Sequence, residues 1–198
     1  MIRTSALVTA AALAFAAAAA AAPGPEGPPL EPGPALASPD SPSLGGVVDG
    51  IKCQRSEQVL FHIHARLTVY VDGKSRRVPY GIGIAPPLEG FRTPRGAFVV
   101  GGSCFSWLHT HAADGVIHIE SPIKRTYTLG NFFDVWGQPL TETRVGPARG
   151  HVTAFLDGKV WHGSPRAIPL DAHAQVQLDV GSPVAKQVLM PTSSWHGL

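Results

Sequence analysis

The chain has 198 residues, with 16 Lys and Arg against 14 Asp and Glu, nine His and a formal charge of +2. Charge this balanced, with its basic residues scattered, offers nucleic acid no basic stripe interleaved with aromatics. Beyond the leading residues no apolar run is long enough to cross a bilayer, which excludes stable membrane insertion of the remainder as a helix.

Residues 1–22, "MIRTSALVTAAALAFAAAAAAA", carry one cation at Arg3 and then an Ala-dominated run that ends in small residues. This is the pattern of a secretory signal peptide and points to export, into a periplasmic or extracellular space. At about 18 residues the run barely reaches spanning length, and Ala is poorly suited to lipid. Residues 23–45 are dominated by Pro and Gly. They bury too little apolar surface to offset ordering entropy and predict a disordered, extended linker. Residues 46–198 are then a single His-rich β domain, long enough to hold a real core.

Cys53 and Cys104 are the two cysteines. In an exported chain they predict one disulfide, and closing a loop of roughly 50 residues contributes about 4 kcal/mol in the chain-entropy model. The bridge would tie the segment before His62 to the segment before His109. A rival reading makes the sulfurs copper ligands with Met190 as axial partner. Neither cysteine sits in a ligand-spaced cluster, which disfavours it.

Period-two alternation dominates the domain. In "LFHIHARLTVYVDGK", Phe61, Ile63, Leu67, Val69 and Val71 share one parity, and His62, His64, Arg66, Thr68 and Tyr70 the other. That predicts a half-buried strand with its histidines on the polar face. Asp72-Gly73 suits a tight hairpin turn. "LTVYVDGKSRRVP" and "VTAFLDGKVWHGSP" repeat one form, with Pro147 and Arg149 in the second copy where the first has His62 and His64. In "TLGNFFDVWGQP", Leu129, Phe132, Phe133 and Trp136 fall at helical spacing, with Thr128 to cap the start and Gly137 and Pro139 to stop it. "AQVQLDV" closes the list of strands. The fold class predicted is mainly β: an antiparallel sandwich or open barrel built from hairpins, with one short helix. An α+β, β-grasp-like arrangement is the alternative.

The stretch "SWLHTHAADGVIHIESP" predicts a hairpin. With Ala113 and Asp114 at its turn, His109 faces His118 and His111 faces Val116. Even offsets put His109, His111, His118 and Glu120 on one side, and Ile117 and Ile119 on the core side. Alternate strand positions lie about 6.6 Å apart and opposed side chains about 5 Å. Imidazoles so placed can converge on one ion at bond lengths near 2 Å. His62, His64, His109, His111 and His118 are therefore the candidate metal ligands, with Glu120 and Asp114 as supporting groups. Nitrogen ligation with a carboxylate suits a divalent transition metal, Zn or Cu(II) foremost, then Ni or Fe(II). Five histidines exceed one tetrahedral shell, so two ions are needed or some rings support from outside. His151, His162, His173 and His196 stay in reserve. A protonation switch or incidental surface histidines are the blander readings.

"HIHARLTVYVDGK", "WLHTH", "VIHIESP" and "TLGNFFDVWGQPL" resemble a family of exported bacterial proteins with no assigned activity, and the likeness covers most of the domain. Its members typically show "HIHAHL" and "LHTHD". Here Arg66 stands in place of the third histidine of the first motif and Ala112 in place of the acidic residue after the second. The departure speaks against Arg66 as a ligand and against acid–base chemistry at position 112. The resemblance implies that the histidines matter and implies no reaction.

Three function classes remain. One is an exported metal-binding protein for storage, delivery or sensing. Another is a metalloenzyme whose three-histidine shell leaves a position for water, a hydrolase, hydratase or oxidoreductase. A β interaction domain using metal as a staple is the third. No Gly-rich phosphate loop precedes a helix and no G-x-S-x-G elbow occurs. The metal ion is the partner expected; the residues point to no protein partner.

Overall fold

The computed structural model describes residues 23–195 and Leu198. The expected signal peptide, residues 1–22, lies outside the described residues, as does His196.

Alternation and turn chemistry decide the local structure. β1 (Val47–Val48) and β2 (Ile51–Gln54) precede the long β3 (Phe61–Val71), which turns into β4 (Lys74–Arg76). Asp72 and Gly73 take φ of 50° and 69° there, as a two-residue hairpin loop demands. β5 (Ile84–Ala85) leads to a hairpin of β6 (Glu89–Thr93) and β7 (Gly96–Gly101). β8 (Cys104–Ser106), β9 (Leu108–His109) and β10 (Val116–Ser121) follow. Helix α1 (Leu129–Trp136) is capped by the Thr128 side chain, which accepts from the Asn131 amide, and ends at left-handed Gly137. Its Leu129, Phe132, Phe133 and Trp136 are fully buried.

A small meander of β11 (Leu140–Thr141), β12 (Arg144–Val145) and β13 (Ala148–Arg149) precedes β14 (Val152–Leu156), β15 (Lys159–Val160) and β16 (Gln175–Val180). Asp157 and Gly158, with φ of 50° and 77°, join β14 to β15. The hairpin read twice in the sequence is thus built twice, and only the β3 copy carries an H-x-H pair.

The fold is mainly β with one α-helix among the described residues. Its principal sheet runs β15-β14-β16-β3-β10-β9, with β4 on the far end of β3, and does not close into a barrel. β16 pairs with β3 in parallel, a departure from purely antiparallel hairpins. Parallel neighbours need a long crossover, which the chain between β4 and β16 supplies. A second sheet, β1-β2-β8-β5, connects to the first through Trp107, between β8 and β9. Ile51, Ala65, Leu67, Ile117 and Ile119 join the helix aromatics in one core. Cys53 and Cys104 are bridged, linking β2 to β8. Both sulfurs are spent in that bond, so the copper–thiolate reading falls.

Residues 23–45 do not hang free, contrary to the expected disordered linker. Leu36 is buried, and its amide donates to the Arg77 carbonyl while the Arg77 amide donates to Pro34. Arg77 Nε donates to the Gly33 carbonyl at 2.7 Å, and Trp136 Nε1 to the Ser38 carbonyl at 2.6 Å. Arg66 donates to the Pro29 carbonyl and to Glu31. The physical reason is that a Pro-rich chain is already stiff, so laying it down costs little further entropy, and it presents carbonyls that no local amide claims. Guanidinium and indole groups of the domain donate to those carbonyls and hold the segment as a strap.

Candidate metal centre

β10 lies between β3 and β9. The register sets His64, His118 and His109 opposite one another in one row across these three strands. The next row pairs Glu120 with His62. The expected pairing of His109 with His118 therefore holds, and Ile117 and Ile119 face the core, fully buried. His111 lies beyond the end of β9 and does not pair with Val116. Its ring returns to the cluster because its Nδ1 meets the Val99 carbonyl of β7 at 2.5 Å and Phe98 stacks on it at 5.2 Å. The polar face of β3 is thus not half-exposed as alternation suggested: the strap lies on Arg66, and His64 is buried together with His118 opposite it on β10.

Two tautomers are fixed by the backbone. His109 Nδ1 lies 2.9 Å from the Ser106 carbonyl, and His111 Nδ1 lies against Val99. A carbonyl only accepts, so each Nδ1 carries the proton, and a neutral imidazole has just one. Both Nε2 atoms are then bare lone pairs, yet they stand 3.0 Å apart. Two acceptors at that distance repel. A second proton on either ring would relieve this, but burial first, then the neighbouring imidazoles, holds His109 well below and His111 below the ordinary histidine value. Two nitrogens bound to one ion at about 2.0–2.1 Å stand roughly 3 Å apart, so a cation satisfies both.

The other pair repeats the spacing. His62 Nε2 and His64 Nε2 are 3.1 Å apart, and His64 Nε2 is 3.0 Å from His118 Nδ1. Burial, then the charge of His118 and His62, drives His64 down to about 3. Burial alone would lower His118 too, but hydrogen bonds to Glu120 and Glu26 outweigh it and lift His118 to about 9. Glu120 reaches both pairs, with Oε1 3.1 Å from His62 Nε2 and Oε2 3.9 Å from His109 Nε2. His64 Nδ1, Glu120 Oε2 and Glu26 Oε2 are buried without a hydrogen-bond partner. Buried polar atoms left orphaned in this way are rare and call for a ligand.

His and Glu side chains, all buried except His62, are thus positioned to hold a metal ion, in two groups: His62, His64, His118 and Glu120; and His109, His111, His118 and Glu120. A cleft of about 530 Å3 reaches them, walled by Phe98, Val100 and Pro25. All five histidines singled out in the sequence meet here. Asp114 does not touch an imidazole: it accepts from the Val116 and Glu26 amides, and burial foremost, then Glu26, pushes it up to about 7. Its work is to seat the strap. Arg66 is no ligand either, since its guanidinium holds the strap at Pro29 and Glu31. His151, His162 and His173 belong to neither group.

Two participants escaped the sequence reading. Glu26 Oε1 lies 2.6 Å from His118 Nε2, and Glu57 Oε1 lies 3.3 Å from His111 Nε2. Burial, then Glu120, raises Glu57 above the usual carboxylate range. Glu57's closeness in sequence to His62 was the one available cue; nothing marks Glu26 within its Pro-Gly run. No family model, curated protein or solved structure matches the chain.

Proposed function

We propose that this is an exported protein that binds a divalent transition metal, Zn or Cu(II), for storage, delivery or sensing in a periplasmic or extracellular space. The observation that carries the reading is the opposed pair of bare nitrogens on His109 and His111, 3.0 Å apart, which backbone carbonyls hold in that state. A protonation switch does not suit His64, His109 and His111, whose burial disfavours charge, and incidental surface histidines would not be buried as His64, His109, His111 and His118 are. Zinc and copper(II) follow from a donor set of imidazoles and carboxylates with no free thiolate. Export rests on the leading sequence and agrees with the disulfide.

The test is elemental analysis of protein purified from its native compartment, with spectroscopy of the bound ion. Stoichiometric metal in the wild type, with a reduced content in folded His109→Ala and His111→Ala, is expected. Unchanged metal content in both variants would refute the ligand assignment.

A second reading, a metalloenzyme with an open water position, draws on the cleft and on His62, whose side chain is 40% exposed at its edge. Azide added to the Co(II)-substituted protein separates the two. A shifted visible spectrum marks an exchangeable position; no shift marks a saturated binding site.

A further inference from the structure

We infer that the centre takes two divalent ions, bridged by the Glu120 carboxylate, with His62, His64 and His118 on one and His109 and His111 on the other. The inference rests on the histidines being ligands, as proposed above.

Distance rules out one ion held by all six side chains. Within each donor group the ligand atoms lie within 4.8 Å of one another, but the groups share only His118 and Glu120 and do not merge into one of six. Some donors across the groups are therefore farther apart than 4.8 Å. Opposite donors on one ion, at bond lengths of about 2.1 Å, can be separated by roughly 4.2 Å at most. One cation cannot reach them all.

Glu120 is shaped for the bridge. Its Oε1 lies 3.1 Å from His62 Nε2 and 3.3 Å from His118 Nδ1, whereas its Oε2 lies 3.9 Å from His109 Nε2 and has no other partner. One oxygen serves each side, and a carboxylate used this way suits ions about 3.5–4 Å apart.

The shared histidine has one nitrogen to give. His118 Nε2 is taken by Glu26 at 2.6 Å, and its Nδ1 sits 3.0 Å from His64 Nε2. One ion is thereby held by His62, His64, His118 Nδ1 and Glu120 Oε1. The other has His109, His111 and Glu120 Oε2, with Glu57 3.3 Å from His111 Nε2 to complete it. Glu26, Glu57 and Glu120 face the cluster and supply the carboxylate charge that divalent ions need there. The ions differ in access: His109 is fully buried, while His62 stands at the cleft. The outer ion should load last and leave first.

Metal-free full-length mature protein, titrated with Cu(II) alone, tests this by stoichiometry and electron paramagnetic resonance. Two Cu(II) per chain are expected, with a half-field transition or lost signal intensity marking coupled ions. His62→Ala/His64→Ala should retain one Cu(II) with an uncoupled spectrum. Should that double variant fail to fold by near-ultraviolet circular dichroism, His62→Ala alone, at an exposed position, should lose the coupled signal. Glu120→Gln should weaken or abolish the coupling. One Cu(II) per wild-type chain, or two that are uncoupled, overturns the two-ion centre and leaves metal binding standing. No bound Cu(II) or Zn(II) overturns both.

Discussion

The molecule contains two H-x-H pairs, and they are held in opposite ways. In His109-Thr110-His111 both Nδ1 atoms are tied to backbone carbonyls. Thr110 between them is fully buried, its hydroxyl donating to the Pro79 carbonyl and accepting from the Ile82 amide. Gly83 lets that segment close in: at φ 72°, a Cβ there would lie 2.4 Å from the Leu108 carbonyl. In His62-Ile63-His64 the intervening residue faces the core, His62 is 40% exposed, and His64 Nδ1 has no partner. The same three-letter motif gives a rigid, pre-oriented donor pair in one place and an adjustable pair in the other. Groups that orient a metal ligand's second nitrogen set its tautomer and its basicity, so the anchored pair should bind tighter.

Removing ligands breaks the comparison most sharply. His109→Ala or His111→Ala should cost one ion and more than roughly 100-fold in affinity for it, exceeding the usual loss of an outer partner. His62→Ala should cost less, and calorimetric titration of both would decide the order. Equal losses would mean that anchoring contributes nothing.

Cutting the covalent support comes next. Cys53→Ser/Cys104→Ser opens a bridge spanning 51 residues, worth roughly 4 kcal/mol in denaturant melts. Cys104 lies two positions before Ser106, whose carbonyl orients His109, so the anchored pair should lose affinity and the other pair should not. Thiol titration of the unfolded, unreduced wild type should find no free sulfhydryl.

Acidity sharpens the contrast without mutation. His64, at about 3, and His109, well below the ordinary value, stay neutral when folded and bind protons near pH 6.5 when unfolded. The unfolded chain thus takes up more protons as pH falls from about 6.5 toward 3, and the metal-free fold loses stability across that window. His118 acts in the opposite sense. Raised to about 9, it contributes stability that is complete below about 6.5 and is lost as pH rises through 9. Melting temperatures of metal-free protein should therefore fall on both sides of neutrality, and a flat profile would contradict these buried charge states.

The smallest effect concerns the strap. Arg66→Ala removes the donor to Pro29 and Glu31 and should release Glu26 from His118. Proteolytic cleavage within residues 23–33 should quicken, with about a tenfold loss of metal affinity, the low end of the roughly 10–100-fold that outer partners cost.

Local pattern carried much of this protein. Alternation placed β3 and the parity of its histidines, a four-residue turn set His109 opposite His118, Thr128 and Gly137 bounded the helix, and cysteine count with the expected export signal anticipated the bridge. These depend on residues near one another in the chain, where periodicity and turn geometry act directly. Tertiary structure alone decided how the centre is finished. The carbonyl fixing His111 comes from Val99 in another hairpin, the glutamate on His118 from 92 positions away, and the strap's anchors from Arg66, Arg77 and Trp136. Such partners obey no period, because long-range docking selects whichever donor or acceptor the packed sheets leave unpaired.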